Sequence, residues 1–150
     1  MLLVLDTNIV LDLFVFADAR AQPLRERLEG VEGEWIATAA MREELQRVLC
    51  YAHIESRLAF YGLLAADVLG RFDRHARIVP APDKAPLTCS DPDDQIFIDL
   101  AFHHKGLLLS KDNAVLGMRK RLAAHDVIAA PVWPAGTAQT APREPSASTA

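Results

Sequence analysis

The sequence predicts an α/β fold in three layers, a parallel sheet with helices on both faces. Short apolar runs of strand length alternate with stretches that repeat as helices do. The clearest of these runs, Leu2 to Leu5 and Leu107 to Leu109, are apolar throughout, as strands covered on both faces are. Each is followed closely by an acid, Asp6 or Asp112, and parallel sheets present their ligand sites beyond the C-terminal strand ends.

Taken in order, Leu2 to Leu5 reads as the first buried strand and Asn8 to Phe16 as an apolar helix broken by Asp12. Arg20 to Leu28 is a second helical stretch ending near Gly30, and Glu34 to Ala37 a second strand. Thr38 is placed to cap a helix running to about Ala52. His53 to Phe72 reads as one further helix, with Leu58, Leu63, Leu64, Val68 and Leu69 inward. Arg77 to Val79 is a short strand, and Pro80, Pro82 and Pro86 mark a loop. Asp91-Pro92 opens a helix as cap and first residue, and that helix stops at Gly106. Leu107 to Leu109, a helix from Asn113 to Leu122, and a strand from Val127 to Ala130 complete the pattern. The expectation is one domain over residues 1–134. Residues 135–150, rich in Pro, Ala, Thr and Ser, read as a disordered tail.

Composition narrows the function classes. A chain of 150 residues with 51% apolar content can bury a core without staples. No apolar run is long enough to span a membrane, and the start lacks the basic and long apolar parts of a leader, so the expected location is the cytoplasm. Cys50 and Cys89 make neither a disulfide framework nor a zinc site. The net charge of −4 does not favour a nucleic-acid binder, but carboxylates gathered around a cation would carry such a charge.

The acids then divide by position. Asp6 is either a ligand at a strand tip or the cap of the helix after it, and Asn8 either orients a carboxylate or makes a turn. Met41, Leu45, Val48 and Leu49 form a helical stripe; Glu44 lies roughly 85° from its middle and Glu43 nearly opposite. Glu44 therefore borders the core, where it can reach a shared site or pair in solvent. Asp91, Asp93 and Asp94 crowd one helix start, more acids than a cap needs. Asp91 is the natural cap, Asp94 leans toward packed surface, and Asp99 is expected in solvent. Asp112 is a strand-end acid or a cap for the helix from Asn113. Such carboxylates suit Mg²⁺ or Mn²⁺, which prefer oxygen ligands. Such ions lower the pKa of bound water and stabilise a leaving oxygen in phosphoryl chemistry.

The stretches Leu3-Val4-Leu5-Asp6-Thr7-Asn8, Glu43 to Leu49, Asp91 to Ala101 and Leu108 to Asp112 together resemble the PIN-domain family, over about residues 2 to 130. The resemblance is to the bacterial branch that acts as toxins in toxin–antitoxin pairs. It implies about five parallel strands and a Mg²⁺- or Mn²⁺-dependent endoribonuclease acting on RNA. It implies an acidic site of Asp6, Glu44, Asp94 and Asp112, all as metal ligands, with Asn8 and Ser110 in support. Asp93 is the neighbour that rivals Asp94. Lys111 departs from the family, where a small residue is usual; it would contact phosphate or pair with an acid. Arg42, Arg47, Arg119, Lys120 and Arg121 are further candidates for phosphate, each against a solvated surface role. Phe14, Phe16 and Trp35 are expected in the core or at a dimer face. The implied partners are RNA, an antitoxin protein and a second copy of the chain. The alternative is a catalytically silent interaction module of the same fold, binding a basic partner. A phosphoaspartate enzyme fits poorly, because Asp6-Thr7-Asn8 lacks a second aspartate two positions on.

Overall fold

The computed structural model describes residues 1–133; the tail expected over 135–150 lies outside the described residues. Strand β1 (Leu3–Leu5) pairs in parallel with β4 (Leu107–Leu109), and β4 with β5 (Ile128–Ala130). Strand β2 (Ile36–Ala37) pairs in parallel with β3 (Arg77–Ile78). A single parallel bridge between Leu3 and Trp35 joins the two groups, aided by a hydrogen bond from Leu3 N to the Glu34 carbonyl (2.7 Å). The five parallel strands thus run in the order β3-β2-β1-β4-β5.

Every residue of β1 and β4 is buried, so both faces of the central strands are covered by helices. Helix α6 (Gln95–His104) packs on β1 and β4, and α8 (Arg119–Ala123) on β5. Helix α1 (Thr7–Phe14) packs with α2 (Gln22–Gly30), α3 (Ala39–Leu49) and α5 (Ala65–His75). Helix α1 is apolar nearly all round, and Ile9, Val10, Leu11, Leu13 and Phe14 are all buried. Trp35 is the hub of an aromatic cluster with Phe14 (ring centroids 6.2 Å apart) and Phe72 (5.0 Å, edge-on). Phe14 and Trp35 therefore belong to the core, while Phe16 is half-buried under the Arg57 guanidinium. Helix α3 buries Met41, Leu45 and Leu49 at four-residue spacing, and the Thr38 hydroxyl accepts from Met41 N at its start.

Four expected helices are divided. The stretch from Arg20 to Leu28 opens in a 3-10 turn, Ala19–Ala21, before α2. The stretch from His53 to Phe72 is two helices, α4 (Ala52–Phe60) and α5. Gly62 breaks it with φ of +68°, a conformation that costs glycine little, and the Asp67 carboxylate then caps Leu64 N (2.9 Å). The helix expected from Asp91 begins as a 3-10 turn, Pro92–Asp94, before α6. The helix expected from Asn113 to Leu122 is α7 (Asn113–Leu116) and α8, with Gly117 and Met118 between them. At Gly106 the chain needs the missing side chain: a Cβ there would stand 3.0 Å from the Leu2 carbonyl, beside which β4 begins. No helix among the described residues is long and apolar enough to cross a membrane.

Candidate active site

Strands β1 and β4 lie in register, Leu5 opposite Leu109, so the residues just after them emerge side by side. Asp6 follows β1, and its backbone N–H donates to the Leu109 carbonyl (2.9 Å). Ser110 and Asp112 follow β4. The 3-10 turn delivers Asp94 to the same edge from a third element. One carboxylate oxygen from each of Asp6, Asp94 and Asp112 lies within 4.8 Å of the others.

The hydrogen bonds show which of these acids cap a helix. Asp6 stands at the cap position of α1, yet its side chain makes no capping bond to that helix. It accepts instead from the Ser110 hydroxyl (2.6 Å). Ser110 is fully buried and its Oγ also accepts from Asp112 N (3.0 Å), so one hydroxyl sets both acids. Asp112 does cap: its Oδ1 accepts from Ala114 N (2.8 Å). That bond fixes the carboxylate without using its second oxygen. Asp91 caps the 3-10 turn through Asp93 N (3.0 Å), which leaves Asp94 to turn inward.

Asp94 is buried, and its Oδ2 has no hydrogen-bond partner. A buried carboxylate oxygen without a donor is costly, and two further acids beside it make it more so. Burial first, then the charges of Asp6 and Asp112, push Asp94 up to about 8. Asp6 is raised as well, chiefly by burial, although the Ser110 hydroxyl and the Thr7 N–H act the other way. Two ionised carboxylates whose oxygens lie within 4.8 Å of each other repel by roughly 3 kcal/mol or more at an effective dielectric constant of about 20. The orphaned Asp94 oxygen and its two acidic neighbours could hold a cation. A hard divalent cation with oxygen ligands fits the donor set.

The remaining predicted residues are placed as follows. Glu44 borders the core and Glu43 is exposed. Glu44 is not among the three clustered acids; it accepts from the Thr7 hydroxyl (2.5 Å), and its charge reaches Asp6. Asp93 is exposed and stands outside the cluster. Among the described residues Asn8 bonds no carboxylate: its Oδ1 accepts from Lys111 N (3.3 Å). Lys111 resolves toward an acid, since its Nζ lies 2.6 Å from Asp12 Oδ2. Arg42 is engaged by Asp73 across α3 and α5 (2.7 and 2.8 Å), whereas Arg47, Arg119, Lys120 and Arg121 are exposed. Asp99, expected in solvent, is half-buried and accepts from Ala85 N and Gln95 Nε2 (both 2.8 Å), pinning the proline-rich loop to α6.

Sequence reasoning gave no role to Thr7 or Asp12. Asp12 had a signal: a charged residue inside an apolar helix needs a partner when that helix is buried all round. Thr7 carried none, because a threonine after a strand-end acid reads as ordinary helix-start chemistry.

A family model described as PIN domain matches residues 2–114. No curated protein and no solved structure matches the chain.

Proposed function

The chain belongs to the PIN-domain family, whose members are generally metal-dependent nucleases, and we propose that it is a Mg²⁺- or Mn²⁺-dependent endoribonuclease. Asp6, Glu44, Asp94 and Asp112 are its metal-holding acids, with Ser110 and Asn8 in support. The observation that carries the reading is the trio of carboxylates from separate elements on one sheet edge, with Asp94 Oδ2 buried and without a donor. In a protein with no use for a cation this arrangement would only destabilise the fold.

The chain's residues prepare the site in three ways. Ser110 holds Asp6 and the backbone of Asp112 together, so two ligands arrive with fixed orientation. The Ala114 N–H donates to one oxygen of Asp112 and leaves the other for coordination. Thr7 ties Glu44 to the start of α1, where its charge adds to the field at Asp6. A divalent ion bound there supplies a Lewis acid beside a phosphodiester and a means of deprotonating water near neutral pH.

The deciding experiment is cleavage of a mixed panel of RNA and single-stranded DNA with Mg²⁺, Mn²⁺ or EDTA, comparing wild type with Asp6→Asn and Asp94→Asn. Metal-dependent cutting of RNA, lost in both variants, is expected. Full activity in either variant would sink the assignment of the acids. Absence of both cutting and metal binding would favour the interaction module, for which no cation is needed. The proposal extends to a toxin paired with an antitoxin, acting as a homodimer in the cytoplasm. Induced expression should then arrest growth in wild type and not in Asp6→Asn.

A further inference from the structure

Three ties join Asp6 and α1 to the segment after β4, and each involves Ser110 or Lys111, the two residues before Asp112. The first is Ser110 Oγ to Asp6 (2.6 Å). The second is the Lys111 N–H to Asn8 Oδ1 (3.3 Å), at the long end of the hydrogen-bond range. The third is the ion pair of Lys111 Nζ with Asp12 Oδ2 (2.6 Å). Asp12 is the one charged residue of α1, and its side chain is only 10% exposed, against 37% for Lys111. Among the described residues Lys111 is the one cation within ion-pair reach of it.

Lys111 lies between Ser110 and Asp112. A force on its side chain therefore acts on the backbone that presents Asp112. Asp112 has no strand partner of its own, and α7, which it caps, is a single turn. Ser110 N donates to the Ala130 carbonyl of β5 (3.0 Å), so the position of Asp112 relative to Asp6 depends on that bond and on what joins residues 110 and 111 to Asp6 and α1. We infer that the Asp12–Lys111 ion pair is a positioning clasp: it holds the Asp112 segment against α1, so that Asp112 and Asp6 converge on one cation. The inference rests on the reading of the three acids as a metal site. Neither residue touches the reacting atoms. Both act through Asp112.

The clasp is separable from a simple effect of charge. Removing the Lys111 ammonium makes the surroundings of the acids more negative, so an electrostatic field alone predicts tighter cation binding in Lys111→Met. The clasp predicts weaker binding. The double variant Asp12→Asn/Lys111→Met removes one charge of each sign and leaves no Asp12 carboxylate stranded without its partner. A field account then predicts little change, and the clasp again predicts a loss.

The experiment is Mn²⁺ binding by the full chain without nucleic acid, read by calorimetry and by the spin resonance of free Mn²⁺, with circular dichroism as the check on folding. Substitution of groups that orient metal ligands costs about 10- to 100-fold in affinity. A loss of about tenfold or more is expected in Lys111→Met and in the double variant, with Lys111→Arg close to wild type. Should Lys111→Met leave the folded protein too unstable to titrate, the double variant decides alone. Unchanged or tighter binding in a folded variant overturns the clasp while leaving the metal site intact. Absence of binding in wild type and variants alike overturns the metal site, and the clasp with it.

Discussion

Asp73 on α5 and Asp94 at the start of α6 are the same side chain in opposite surroundings. Asp73 is half in solvent and receives two hydrogen bonds from Arg42, whose guanidinium holds it below the usual carboxylate range. Glu34 is lowered in the same way by Arg27. Asp94 is buried, has acids for neighbours and is pushed up to about 8. Ion pairs at the surface keep carboxylates charged at little cost. The sheet edge instead gathers three carboxylates, one of which, Asp94, keeps a buried oxygen without a donor. That contrast separates acids paired with a base from acids gathered where they could hold a cation.

The contrast can be broken most sharply at Asp94. Asp94→Asn should lower metal-dependent cleavage by at least ~100-fold, since a bound cation supplies several kcal/mol of transition-state stabilisation; initial rates on a cleaved RNA check this. The same variant should be more stable than wild type without metal, increasingly so as pH rises. The sign follows from linkage. The unfolded chain releases the Asp94 proton near 3.8 and the folded chain near 8. Between those values the folded state binds more protons, so wild-type stability falls as pH rises through the window. The asparagine variant has no such proton to lose. The gap should reach the order of a few kcal/mol by pH 8, measured by urea unfolding in EDTA at several pH values.

A divalent cation should reverse that loss. At one hundred times its dissociation constant, Mg²⁺ should add about 2.7 kcal/mol, or roughly 5–10 °C in melting temperature for a domain of this size. Calorimetric scans with Mg²⁺ and with EDTA check it, and Asp94→Asn should show little of the increment. The smallest effect belongs to the surface pair. Arg42→Ala should cost about 1 kcal/mol at most, leave cleavage unchanged, and cost less still in high salt. A loss of cleavage in that variant would mean that α3, which carries Glu44, needs the Arg42–Asp73 pair to hold its place.

Much of the fold was legible before the structure. The runs Leu3-Val4-Leu5 and Leu107-Leu108-Leu109 are strands because nothing in them tolerates water on either face. Glu44 and Glu43 separated correctly by helical period, since one face of α3 is buried and the other is wet. Boundaries were harder to read. His53 to Phe72 keeps an apolar repeat across Gly62, and periodicity does not register a single residue at positive φ.

The site divided along the same line. The sequence by itself determined which acids stand at strand ends and helix starts, because those positions follow from local pattern. It also determined that more acids crowd Asp91 to Asp94 than a cap employs. Only the tertiary structure decided that Asp6 turns away from its own helix toward Ser110, that Asp94 is buried without a donor, and that Lys111 meets Asp12. The first and last are contacts between residues far apart in the chain, 104 positions in the case of Asp6 and Ser110, and the burial of Asp94 is likewise the work of other elements. The physical reason is that a strand end fixes where a side chain starts, whereas its partner and its charge state depend on what other elements bring within a few ångströms.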